Sequence, residues 1–130
     1  MSESRFKNEA GKGDLIFIKP ADLFRAEFKG VAVEGLLISS QPNGLNPNVL
    51  DFKLEADTDL VVEGVDKDGK RYTTSINSGD TVIVNGAGNL NYLMKDVNPG
   101  GLCQISYNGK VLLSKGPQKG KEAHNFKVMY

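Results

Sequence analysis

The chain has 130 residues, 39% of them hydrophobic, with 16 Lys and Arg against 16 Asp and Glu. That length suits one domain at the usual ~100–200 residues each, and the apolar fraction is enough for a core, which excludes wholesale disorder. Balanced charge excludes nucleic-acid binding by bulk charge alone; a single cysteine, Cys103, excludes an internal disulfide or a four-cysteine zinc site, and a single histidine, His124, excludes a His-rich metal centre.

The first dozen residues are polar, charged and glycine-bearing. They hold no apolar run of the kind a signal peptide needs. A flexible N-terminus over 1–12 is expected, followed by a single β-barrel domain over 13–130. No stretch approaches the ~18 apolar residues of a membrane span, so a cytoplasmic protein is expected.

Fifteen glycines and five prolines punctuate the remainder. Between them, runs rich in Val, Ile, Leu, Phe and Tyr predict strands at 14–18, 31–39, 50–56, 59–65, 70–76, 81–84, 102–107, 110–114 and 124–129. Ala21–Phe28 suits a short helix, although Phe24 and Phe28 suit a strand start as well. Gln41–Asn48, with two prolines and three asparagines, predicts a loop. Asp68-Gly69 predicts a hairpin turn, because both residues tolerate positive φ. Leu90, Leu93, Met94 and Val97 fall at i, i+3, i+4 and i+7, an apolar helical stripe that Asn98-Pro99-Gly100-Gly101 stops. Asn108-Gly109 marks either a second hairpin or a glycine bulge inside one long strand. The pattern is all-β: β-rich with one or two short helices.

Charge is balanced in total but segregated along the chain. Asp51 to Asp68 carries seven acids and two lysines, whereas Val97 to Tyr130 carries five lysines and one acid, Glu122. Lys115, Lys119 and Lys121 lie in a Gly/Lys loop between two predicted strands, with Lys110 just before it. Such a loop can follow a phosphate backbone, or it can be a solvated hairpin that keeps an edge soluble. Aromatic residues stand beside basic ones at Arg71-Tyr72, at Tyr107 ahead of Lys110, and at His124 and Phe126 after Lys121. A base stacks on an aromatic face for ~1–3 kcal/mol while nearby cations hold the phosphates. On a strand His124, Phe126, Val128 and Tyr130 share one face, and alternation puts Phe126 and Val128 in the core. Tyr72, Tyr92 and Tyr107 suit either role.

Cys103 reads as a small buried side chain, with no base partner to activate it. The acids at Asp57, Asp59, Asp66 and Asp68 lack the spacing of a calcium loop. Gly116–Lys121 is not a P-loop, and Gly86-Ala-Gly88 is not a dinucleotide site. No catalytic residue, metal or cofactor is expected, and the chain reads as a non-enzyme.

The segment from Leu90 to Val128 resembles the closing part of OB-fold single-stranded DNA-binding proteins of bacteriophages. A helix precedes Gly100-x-x-x-x-Ile105-x-Tyr107-x-Gly109-Lys110, and a Gly/Lys loop leads into a final strand holding Phe126 and Val128. The resemblance implies an OB-fold-like Greek-key barrel, here with extra hairpins, that coats single strands in replication or recombination, in the host cytoplasm. It implies Tyr107, Lys110, Lys115, Lys119 and Lys121 along the binding edge; the residues themselves add Arg71, Tyr72 and His124. The expected partner is single-stranded DNA or RNA, bound with little sequence preference, and an edge strand could pair two copies into a homodimer. The rival expectation is a non-enzymatic structural or interaction protein, such as a virion β-sandwich subunit or a host-factor inhibitor.

Overall fold

A computed structural model describes residues 15–114, 116 and 120–130. Of these residues 52% are strand and 9% helix. The elements are β1 (Ile16–Ile18), α1 (Pro20–Arg25), β2 (Gly30–Pro42), β3 (Leu50–Ala56), β4 (Leu60–Val65), β5 (Arg71–Ile76), β6 (Thr81–Val84), α2 (Leu90–Leu93), β7 (Leu102–Leu112) and β8 (Glu122–Met129). Six strands form one sheet in the order β1-β6-β3-β2-β7-β8, curled into a half-barrel, and β4 and β5 form a separate hairpin. No helix among the described residues is long and apolar enough to cross a membrane.

The sheet is organised around β2. Its first half pairs antiparallel with β7, Gly30 opposite Tyr107 through Leu36 opposite Leu102. Its second half pairs antiparallel with β3, Gly35 opposite Ala56 through Pro42 opposite Leu50. The exchange of partners falls at Gly35, where both neighbours pair at once. A Cβ there would lie 2.0 Å from the Glu55 carbonyl oxygen and 2.8 Å from the Ala56 Cα, so only glycine lets the strands approach this closely. Register slips at Val31/Val33 and Leu37/Ser39 add bulges that bend β2 on either side of that point.

Alternation sets what each strand buries. β3 sends Phe52, Leu54 and Ala56 inward, β7 sends Cys103, Ile105 and Tyr107, and β8 sends Phe126, with Val128 packed partly buried against the same core. Val62 of β4 and Ile76 of β5 join this core, so the separate hairpin closes one side of it. Of the two readings of Asn108-Gly109, the structure has the bulge: β7 runs through it, and its pairing with β8 slips between Tyr107 and Lys110. Gly109 at φ 89 supplies the kink.

The two helices follow the apolar spacing but are shorter than the sequence suggests. Leu90, Met94 and Val97 are buried as the stripe predicts. The i→i−4 bonds nevertheless stop at Met94, and Lys95 and Val97 donate to carbonyls three residues back as the Asn98-Pro99 stop approaches. α1 starts at Pro20, where a missing N–H costs nothing, and ends in a Schellman motif. Phe28 N–H donates to the Leu23 carbonyl at 2.8 Å and Glu27 N–H to the Phe24 carbonyl at 3.0 Å. Glu27 holds the left-handed position of that motif, at φ 56, where glycine is the usual occupant.

Between β6 and β8 the sheet does not close by strand pairing; the segment from Gly86 to Asn89 bridges them. Gly86 N–H donates to Asp51 at the start of β3. Gly88 sits against the His124 carbonyl so tightly that no Cβ fits. Asn89 then pairs with the outer edge of β8 as a strand would. Its Nδ2 donates to the Phe126 carbonyl at 3.2 Å, and its Oδ1 accepts the Phe126 N–H at 2.8 Å.

Two substitutions test this account by denaturant unfolding. Gly35→Ala forces a backbone clash in the middle of the sheet and should lower stability by about 3 kcal/mol or more. Glu27→Gly relieves a left-handed non-glycine residue and should raise stability by about 1 kcal/mol.

Candidate nucleic-acid interface

The β7 bulge, the start of β8 and the end of α1 meet at one corner of the half-barrel. Lys110 pairs with His124 across β7 and β8, two positions before Leu112 pairs with Glu122. The base of the Gly/Lys loop is pinned there, with Leu113 N–H donating to the Lys121 carbonyl and Gly120 N–H to the Leu113 carbonyl, both at 2.9 Å. α1 docks against this hairpin through Phe24. The Lys110 ammonium lies 4.2 Å above the Phe24 ring, and His124 meets the same ring edge-on at 6.3 Å.

Beneath this surface lies a buried aromatic stack. Tyr107 packs edge-to-face on Phe126 at 5.2 Å, and its hydroxyl is hydrogen-bonded to His124 Nδ1 at 2.6 Å. Burial pushes the Tyr107 phenol up to about 12, so it stays protonated. His124 is held below its ordinary value, first because burial disfavours the imidazolium and then because Lys110 repels it. The site at neutral pH therefore presents a lysine and a neutral imidazole around an exposed phenyl ring.

The expected site residues divide three ways. Tyr107, Lys110, Lys121 and His124 come together on the β7–β8 hairpin, while Lys115 and Lys119 lie outside the described residues. Tyr107 is a correction: the ring is fully buried, so it supports His124 and offers no face to a base. Arg71 and Tyr72 sit on another strand, β5, in the β4–β5 hairpin. Tyr72 donates its hydroxyl to Asp22, which is also ion-paired with Arg25 at 2.7 Å. Burial and then that carboxylate raise the Tyr72 phenol well above its ordinary value. α1 thus turns Asp22 and Arg25 toward the β4–β5 hairpin and Phe24 toward the lysine-bearing one.

Sequence reasoning missed Phe24, Phe28 and Lys29, which line the corner together with Lys110. Two phenylalanines four apart, followed by a lysine, were the available signal, but the spacing alone does not say what they face. It also left Tyr92 open. That ring is 67% exposed, with the Lys95 ammonium 3.8 Å from its centre. Asn91 beside it accepts the Leu50 N–H and donates to the Asn48 carbonyl, tying α2 to the β2–β3 loop. Asn43 organises that loop, accepting the Leu45 and Asn46 N–H groups and donating to Asp51.

Cys103 is buried, and desolvation pushes its thiol up to about 11, which leaves it inert. Among the described residues, no group of three or more His, Cys, Asp or Glu side chains could hold a metal ion. Comparison with protein-family models, curated proteins and solved structures finds no match.

The His124 environment predicts a sign for pH dependence. The unfolded chain takes up the proton near 6.5 and the folded state only at lower pH, so stability falls as pH drops through 6.5. Urea unfolding between about pH 7.5 and 5.5 should show a steeper loss for the native chain than for His124→Gln. Equal slopes would remove His124 as the cause.

Proposed function

We propose that the protein binds single-stranded nucleic acid, DNA in the first instance, on an OB-type barrel without catalysing a reaction. The observation that carries this reading is the Lys110–Phe24–His124 cluster at the base of the Gly/Lys loop. An exposed ring beside a lysine is what a strand needs for stacking and for holding a phosphate.

The strand arrangement supports the OB reading. β2, β3, β6, β7 and β8 follow one another in the curled sheet in the order β6-β3-β2-β7-β8, with α2 between β6 and β7 in the chain. In an OB barrel the loops joining the first two and the last two strands border the binding surface. Counted this way they are the asparagine-rich loop after β2 and the lysine loop after β7. Segregated charge supports it as well. Asp66 of the β4–β5 hairpin is engaged in its turn and Asp22 of α1 in the Tyr72 contact, while Lys110 sits against Phe24 of the same helix. A role in replication or recombination belongs to the same proposal.

A second reading, an interaction protein or a homodimer, draws on one feature. Leu36, Leu102, Met129 and Tyr130 are exposed near one another on the outer surface of β2, β7 and β8.

Fluorescence anisotropy with a labelled oligo-dT of about 20–30 nucleotides at two salt concentrations separates them. Binding that weakens with salt is expected. Phe24→Ala should weaken it roughly fivefold or more, and Lys110→Ala with Lys121→Ala should lower the salt slope by about 0.7 for each phosphate that is no longer neutralised. A stable oligomer with no affinity for the strand would overturn the proposal in favour of the second reading.

A further inference from the structure

A pocket of about 410 Å³ opens between the end of α1 and the β7 bulge, lined by Phe24, Glu27, Phe28, Lys29, Asn108 and Lys110 among others. Its size and its mix of apolar rings with a few charged groups suit a small planar ligand. Lys29 reaches over the bulge, its Cε 3.5 Å from where a Gly109 Cβ would be. The two lysines can hold a phosphate and the phenyl rings a base.

Glu27 is the residue that does not fit a general phosphate site. A carboxylate beside two lysines weakens their hold on an anion. It also occupies the left-handed position of the α1 Schellman motif, at φ 56, where glycine would be easier. A side chain kept there against both tendencies has a use if the ligand offers it hydrogen-bond donors. Of the four DNA bases, guanine alone presents two adjacent N–H donors, N1–H and the N2 amino group, on its pairing edge. Those two donors match the two oxygens of a carboxylate. Adenine and cytosine put one amino group next to a lone pair, and thymine puts its N–H between two carbonyls, so each sets an acceptor against the carboxylate.

We infer that this pocket is a guanine subsite, in which Glu27 accepts the guanine donor edge, Phe24 and Phe28 flank the ring, and Lys29 and Lys110 take the phosphate. It rests on the single-strand reading and sharpens it: most of the strand is held without regard to sequence, and one position is read.

The test uses the full chain, isotopically labelled, titrated with dGMP, dAMP, dCMP and dTMP while the amides of Lys29, Asn108, Gly109 and Lys110 are followed by NMR. In parallel, unlabelled oligo-dT strands of about 12 nucleotides, with or without one central dG, compete against a labelled oligo-dT. dGMP should move these amides at concentrations about fivefold or more below dTMP, and the dG strand should compete better by a similar factor. Glu27→Gln and Glu27→Gly should each bring both ratios close to one. Equal shifts for all four nucleotides, or a ratio that survives Glu27→Gln, would overturn the inference. Oligo-dT binding with no guanine preference removes the subsite and leaves the strand-binding function. A dGMP response without oligo-dT binding removes the strand-binding function and leaves a guanine-nucleotide pocket.

Discussion

A missing side chain at Gly35 is the constraint on which the arrangement depends. At Gly35 β2 pairs with β7 and β3 at once, and β3 comes so close that a Cβ would run into the Glu55 carbonyl and the Ala56 Cα. β7 and β8 lie on one side of β2, and β3 and β6 on the other. The sheet curls around Leu54, Val33 and Ile105, all fully buried.

The curled sheet ends at β1 and β8, and backbone groups at an open edge and in the loops need partners. Asparagine amides supply them, since an amide side chain has the same donor and acceptor pair as a peptide group. Asn89 pairs with Phe126 at the edge of β8, Asn91 with Leu50 and Asn48, and Asn43 with its own loop and Asp51. The same device blunts the edge of β8 against further strand addition near Phe126. The loop after β2 is thereby tied to α2, and the segment before α2 to β8.

The corner owes its chemistry to the docking of α1. One helical turn carries Asp22 to the hydroxyl of Tyr72 on one side and Phe24 to Lys110 and His124 on the other. The helix thereby touches both the β4–β5 hairpin and the lysine-bearing β7–β8 hairpin. The strained Glu27 at its end is a local cost of placing a carboxylate among cations, the kind of conflict that functional sites tolerate and cores do not.

Much of the fold was legible in the chain because it rests on local periodicity and turn chemistry. Alternating apolar residues, the Asp68-Gly69 turn and the 90–97 stripe account for the β-rich class, most strand positions and the buried faces of β3, β7 and β8, and the clustering of lysines near the C-terminus needs no structure to see. The pairing of distant segments was not legible. Tyr107 reads equally well as a stacking ring or a core ring until the face it shares with Cys103 and Ile105 is seen to be the buried one. That Tyr72 donates to Asp22 of α1 was likewise not legible, since the two lie fifty residues apart. Phe24, Phe28 and Lys29 belong to the corner only because a short helix docks on strands some eighty residues away, roughly the separation at which no sequence period reports a contact. Sequence by itself determined which residues could be inside and which could carry charge or stack; tertiary structure decided which of them share a surface, because that depends on which distant strands and helices pack together.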